Sequence, residues 1–175
     1  MTTPDTSPDH LRTLIKDIRF AMLTTRSSDG ALNCRPMVTQ EEDRDDTLWF
    51  FTGKNTHKST DIIANPQVNV SYSDPASQRY ISVCGRAVMV EDRIRIRKWW
   101  RPAYAVWFPQ GPEDPELALL RITVERIDVW QAPTTWIGRT LAFATALITG
   151  DRAEPERSEA VTLYPGGASR NASVT

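Results

Sequence analysis

Residues 19–40 read RFAMLTTRSSDGALNCRPMVTQ, and the punctuation of this stretch settles what kind of sheet the chain can build. Residues 19–26 are rich in Ala, Leu, Met and Thr, and Ala31 to about Gln40 makes a second extended run. Between them stands Ser27-Ser28-Asp29-Gly30. An Asp-Gly pair between two strand-like runs is the strongest short-range hairpin signal, because glycine takes the positive φ of a tight turn without steric cost. Strands joined in this way are antiparallel.

The acidic run Glu41 to Asp46 follows as a solvated turn, and Thr47 to Thr52, with Trp49, Phe50 and Phe51, returns as a third strand. Thr56 can cap a helix that starts at His57, carries Ile62 and Ile63 inward, and stops at Asn65-Pro66, because the residue before proline avoids helical angles. Val68, Val70 and Tyr72 alternate with Asn69, Ser71 and Ser73 in a further strand. Arg79 to Val90 is a long one interrupted by Gly85, which marks a bulge or a sharp bend. Asp92 to Arg101 reads as a helix with Ile96, Trp99 and Trp100 on one face. A Pro- and Gly-punctuated loop, Pro102 to Pro115, leads to a last long strand, Leu117 to Trp130. Toward the start, Leu11, Leu14 and Ile15 at i, i+3 and i+4 predict a short amphipathic helix within Pro8 to Asp17. Ile137 to Ile148 has the composition of a final helix.

About six short strands joined by hairpins, with helices tucked between them, favour a mainly β architecture in which an antiparallel sheet closes into a barrel and so loses its edges. The expected organisation is a disordered N-terminus (1–10), one domain (11–150) and a flexible polar tail (151–175). A chain of 175 residues buries enough surface to need no disulfide or metal staple.

Composition excludes several function classes. Lys and Arg total 21 against 22 Asp and Glu, a balance unlike that of a dedicated nucleic-acid binder. The stretch Arg93 to Arg101 is locally basic and aromatic, but Arg93, Arg97 and Arg101 at i, i+4 spacing fit the outer face of an amphipathic helix better than a nucleic-acid patch. Cys34 and Cys84 are expected as reduced, partly buried thiols, and with His10 and His57 the only histidines no metal site is expected. The polar start lacks the apolar core of a signal peptide, and no apolar run approaches a membrane span, so the expectation is a cytoplasmic protein without membrane or nucleic-acid partners. No phosphate loop or nucleophile elbow is present, so a bound cofactor would have to carry any difficult chemistry.

Two segments suggest which cofactor. Asn33-Cys34-Arg35-Pro36-Met37-Val38 places an arginine within a strand, where burial is costly unless an anion pairs with it. Phe50 to Ser59 runs from an aromatic strand into a helix start, where backbone N–H groups beside Thr56, Lys58 and Ser59 make an anion site. Together they suit a flat, phosphorylated ligand. Each also has an ordinary reading, Arg35 reaching solvent and Lys58 a surface residue of a first helical turn. Trp107 and Phe108 fit either core packing or a cover over the ligand.

These features occur in a distinctive order: a strand ending in Thr24-Thr25, then Arg35-Pro36-Met37-Val38, Trp49-Phe50-Phe51-Thr52, and Lys58 through Ile62 to Asn65-Pro66. Val83-Cys84-Gly85-Arg86-Ala87 and Trp107-Phe108-Pro109 leading to Asp114-Pro115 complete it. In this order, from Leu11 to Ile148, the chain resembles the pyridoxamine 5′-phosphate oxidase-like FMN-binding split barrels, and most of all their bacterial general stress protein branch.

The resemblance implies a six-stranded antiparallel split β-barrel of the FMN-binding type, a homodimer with FMN at its interface and, where enzymatic, an FMN-dependent oxidoreductase. It implies that Arg35 meets the phosphate or ribityl chain, that Pro36, Met37 and Val38 lie along the isoalloxazine ring, and that Phe50, Phe51 and Thr52 form the strand end at the flavin. Thr56, His57 and Lys58 stand where the family holds the phosphate, with His57 in place of an arginine. Trp130 and Gln131 stand where a Trp reaches the flavin from the second subunit. The oxidases carry an Arg-Leu pair soon after that Trp, and this chain has Thr134-Thr135-Trp136-Ile137, with the next arginine at Arg139. Tyr80 stands where the oxidases tend to have Gln. The resemblance therefore does not imply vitamin B6 oxidation. No side chain is an evident catalytic acid or base. The alternatives are a non-enzymatic protein that stores or senses flavin under stress, and a split barrel for another cofactor, a deazaflavin or haem.

Overall fold

The computed structural model describes residues 8–40, 47–131 and 160–161. The elements run α1 (Pro8–Ile15), β1 (Phe20–Arg26), β2 (Leu32–Gln40), β3 (Thr47–Gly53), α2 (His57–Ala64), β4 (Gln67–Asp74) and β5 (Arg79–Val90). Then come α3 (Arg93–Trp99), two 3-10 turns (Pro102–Val106 and Gly111–Glu113), β6 (Leu117–Gln131) and a two-residue β7 (Ala160–Val161). Strands pair antiparallel in the order β3-β2-β1-β4-β5-β6-β7, and β3 also pairs with β6, which closes a six-stranded barrel. The expected mainly β barrel is what the chain builds.

The Asp-Gly hairpin joins β1 to β2 as the sequence predicts. Gly30 has φ +91°, and the Asp29 carboxylate accepts from Ser27 Oγ and from the Ala31 N–H. These bonds, that from Ser27 first, hold the Asp29 carboxyl below its usual range. Thr56 caps α2 by accepting from the Ser59 N–H at 3.3 Å, and Asn65 ends the helix.

The barrel interior is apolar. Leu23, Phe50, Val70, Leu120 and Ile122 are fully buried, each contributing roughly 1.5–3 kcal/mol. Leu11, Leu14 and Ile15 of α1 join that core, Ile62 of α2 does as well, while Ile63 of the same helix faces solvent rather than inward. A second cluster lies outside the barrel, where α3 covers β3 and β6 through Trp49, Ile96, Trp99, Leu117 and Leu119.

The bulge falls between Cys84 and Gly85, and the extra residue sits on the partner strand. Cys84 pairs with Arg126 and Gly85 with Val124, leaving Glu125 unmatched. The extra residue flips the strand phase. Ala118, Leu120, Ile122 and Val124 point inward before it, and Ile127 and Val129 after it. Gly85 is required because a Cβ there would strike the Thr123 carbonyl oxygen.

α3 is shorter than the sequence predicts. Arg101 is extended (φ −126°, ψ 142°), as a residue before proline should be, so the helix stops at Trp99. Its basic residues face outward as the spacing predicts, Arg97 and Arg101 being exposed, and two of them are held by neighbours. Arg97 holds Glu113 with two bonds of 2.6 and 3.0 Å, and half-buried Arg93 donates to the carbonyls of Pro112 and Asp114. Both cysteines are free, but Cys34 is exposed on the outer side of β2 rather than partly buried, and Cys84 is half-buried. The stretch read as a tail contributes Ala160 and Val161, which pair with Asp128 and Ile127. The acidic turn at 41–46, the helix expected at 137–148 and the Thr134 to Arg139 region lie outside the described residues. Among the described residues no helix is long and apolar enough to cross a membrane.

Candidate functional site

The barrel opens at one seam, where the start of β2 leaves β3. Among the described residues β2 meets β3 at Thr39 opposite Phe50 and Gln40 opposite Trp49, whereas β1 and β2 pair along their full length. Where β2 diverges, a cavity of about 250 Å³ opens between the strands, the start of α2 and the segment after α3. Pro36, Met37 and Val38 form one wall, and Phe51, Thr52 and Gly53 another. Lys58 stands at the helix end, and Tyr104, Trp107 and Phe108 overhang the opposite side. A larger cavity, about 700 Å³, lies beyond Gln40 and Tyr104 against α1, and Val38 is the one residue of the predicted site that it shares. The smaller cavity is therefore the one lined by the predicted residues.

Its polar end is a cation pair. Arg35 sits opposite Leu23 in the β1–β2 ladder, its side chain 22% exposed. Arg35 NH1 donates to Thr25 Oγ1 at 2.6 Å, and NH2 lies 3.9 Å from Asp61 Oδ2. Lys58 is largely buried nearby, and that burial, with the neighbouring Arg35 charge, pushes its ammonium below the usual lysine range. Among the described residues Lys58 has neither a hydrogen bond nor an ion pair.

The structure thus brings together Pro36, Met37, Val38, Phe51, Thr52 and Lys58, with Arg35 adjoining through its charge. It does not bring in the other predicted residues of this chain. Phe50 points into the barrel and is fully buried, because alternate residues of a strand face opposite sides and its neighbour Phe51 faces the cavity. Thr56 is spent on the helix cap and on a 3.3 Å bond to the Gly53 carbonyl. His57 is exposed. Trp130 lies across the sheet, paired with Tyr80, and Gln131 follows it on the strand.

Sequence reasoning missed Phe20, Gln40 and Tyr104. Tyr104 donates to Gln40 Oε1 at 3.2 Å, Gln40 Nε2 donates to the Val38 carbonyl at 3.0 Å, and the pair walls one cavity from the other. The Tyr104 ring packs on Phe51 at 5.0 Å and Trp100 at 5.9 Å. No periodicity marks Tyr104, since it sits in a 3-10 turn among alanines. Trp107 and Phe108 divide the two readings between them. Phe108 is half-buried against the α3 cluster as well as lining the cavity, and Trp107 stands 61% exposed at the mouth.

The cavity opens onto a sheet face with unusual composition. Val38 pairs with Phe20, Pro36 with Met22, and Tyr80 with Trp130, all on the outer side of the barrel. Phe20, Met22, Tyr80 and Trp130 are each more than two-fifths exposed there.

The sequence model described as pyridoxamine 5′-phosphate oxidase like matches residues 6–154. Protein bli-3 of Neurospora crassa is 28% identical over 157 residues, spanning 83% of this chain and 75% of that protein. The crystal structure of general stress protein 26 from Bacillus anthracis superposes with a TM-score of 0.62 at 30% identity, over 70% of this chain and 92% of that one. The general stress FMN/FAD binding protein from Xanthomonas citri gives a TM-score of 0.60 at 27% identity, over 73% and 90%.

Proposed function

The chain belongs to the pyridoxamine 5′-phosphate oxidase-like family, and from that premise we propose that it binds FMN in the cavity between β2 and β3 and acts as a flavin-dependent oxidoreductase. One observation carries the reading. A largely buried lysine with no counter-ion among the described residues stands beside Arg35 at the end of a cavity whose other walls are apolar and aromatic. Two cations in such a place suit a phosphate, which restores charge balance through charge-assisted hydrogen bonds. Phe51, Met37, Val38, Phe108 and Trp107 suit a flat ring. The residues present therefore fit FMN, and the name of the Xanthomonas citri relative supports the same ligand.

When bound, the flavin would supply the electron and hydride chemistry. Arg35 and Lys58 would hold the phosphate, Pro36 to Val38 and Phe51 to Thr52 would flank the ring, and Tyr104 and Phe108 would keep water from it. A cavity of about 250 Å³ is smaller than the ~300–1,000 Å³ of a typical ligand pocket, so one chain offers part of a site. The exposed face of Phe20, Met22, Tyr80 and Trp130 is continuous with the cavity through Phe20, which supports a homodimer in which a second copy completes it. Trp130 would then reach the ring from that copy. A cytoplasmic setting and the stress role in the relatives' names belong to the same proposal.

A non-enzymatic flavin carrier is the second reading. Among the described residues lining the cavity there is no carboxylate, histidine or cysteine to serve as acid, base or nucleophile. Titration of the purified protein with FMN by absorbance and fluorescence, beside its mass in solution, tests both. One FMN per subunit of a dimer is expected, and no saturable binding by folded protein would refute the proposal. Turnover of a reduced nicotinamide faster than free FMN would distinguish the enzyme from the carrier.

A further inference from the structure

Asp61 stands apart from the rest of the site: a carboxylate, 8% exposed, beneath a pocket that otherwise gathers cations. It lies on α2 three residues after Lys58, so both side chains leave the same side of the helix. Asp61 Oδ2 accepts from Thr25 Oγ1 at 2.8 Å and from Asn33 Nδ2 at 3.4 Å. At 3.9 Å, its approach to Arg35 NH2 is an ion pair without a hydrogen bond.

The direct partner of Arg35 is Thr25. A hydroxyl has one proton to give and lone pairs to receive. An ionised carboxylate can only accept and a guanidinium can only donate, so the Thr25 proton must go to Asp61 and its lone pair must face Arg35 NH1. Thr25 is 1% exposed, so water does not substitute for either bond. The chain Asp61–Thr25–Arg35 therefore ties the guanidinium by one corner. Among the described residues its other donors, on NH2 and Nε, have no hydrogen bond.

We infer that Asp61, acting through the Thr25 hydroxyl, is a positioning residue that aims Arg35 at a phosphomonoester shared with Lys58, and so sets the preference of the pocket for phosphorylated over unphosphorylated flavin. The inference rests on the FMN reading above. It opposes a simpler expectation. A carboxylate next to an anion site should weaken anion binding, and its removal should strengthen it. Positioning gives the opposite sign, because a guanidinium released from its tether must be ordered again when the ligand binds.

The test compares dissociation constants for FMN and riboflavin in wild type, Asp61→Asn, Thr25→Val and Thr25→Ser, with thermal unfolding of each ligand-free protein alongside. Asp61→Asn keeps the shape and loses the charge. Thr25→Val keeps the volume and loses the relay, and Thr25→Ser restores it. The expected result is a loss of FMN affinity of about tenfold or more in the first two variants. Riboflavin affinity should stay unchanged and Thr25→Ser should bind like wild type. Tighter FMN binding by Asp61→Asn would make the carboxylate an electrostatic brake and overturn the inference. An equal loss for both ligands, tracking lower stability, would make its role structural and also overturn it. Should Asp61→Asn not fold, Thr25→Val against Thr25→Ser decides the question by the same ratio. Wild type that binds no FMN would instead overturn the FMN reading, and the inference with it.

Discussion

Replacing Lys58 by methionine should make the ligand-free protein more stable and the complex weaker. Methionine keeps the apolar stem of the side chain and removes the ammonium, which is largely buried with no ion-pair or hydrogen-bond partner among the described residues. An unpaired charge in that position costs folding energy, reduced by the solvent that still reaches it, so the gain is on the order of 0.5 kcal/mol. In a domain of this size that is a rise of about 1–2 °C in Tm. The loss on the ligand side is larger. One charge-assisted hydrogen bond contributes about 1.5–3 kcal/mol, so FMN affinity should fall about 10- to 100-fold. Riboflavin, which lacks the phosphate, should bind unchanged. Isothermal calorimetry with both flavins and a thermal melt of the free protein read all three quantities.

The pH dependence follows from the same residue. The folded pKa of Lys58 lies below its unfolded value, so over the interval between them the unfolded chain holds more protons and stability rises with pH. The cost of the buried ammonium is fully present below the folded pKa and gone above the unfolded one. Lys58→Met should flatten that part of the profile. It should also remove the fall in FMN affinity expected as wild-type Lys58 loses its proton on the alkaline side. Wild-type affinity for FMN in the variant, or an equal loss for riboflavin, would refute the placement of the phosphate.

Three further outcomes are expected. Gly85→Ala should lower the urea midpoint by the equivalent of about 1–3 kcal/mol, because its Cβ meets the Thr123 carbonyl across the bulge; an unchanged midpoint would mean the two strands can part there without cost. Tyr104→Phe should cost about 1–3 kcal/mol in the same assay, since it leaves the buried Gln40 oxygen without its donor. Met22→Glu, on the exposed sheet face, should leave the fold intact but yield monomers by light scattering with weakened FMN binding; a dimer of undiminished affinity would move the interface elsewhere.

What the sequence by itself determined was local. The Asp29-Gly30 hairpin, the Thr56 cap, the stop at Asn65-Pro66, the alternation in β4 and the irregularity at Gly85 each depend on backbone geometry over a few residues, and composition reports such geometry directly. Pro36, Met37, Val38, Phe51, Thr52 and Lys58, which line the cavity, could be singled out together because they fall on two short segments with distinct chemistry. Only the tertiary structure decided the rest. Tyr104 and Gln40 are 64 residues apart, and Thr25 and Asp61 are 36 apart. Their pairing depends on where the seam between β2 and β3 opens and on how α2 lies across the barrel. No period or motif records that, because a hydrogen bond through space leaves no spacing in the chain. The same holds for the charge of Lys58. Its residue type is in the sequence, but its lack of a counter-ion among the described residues is a property of the elements packed around it.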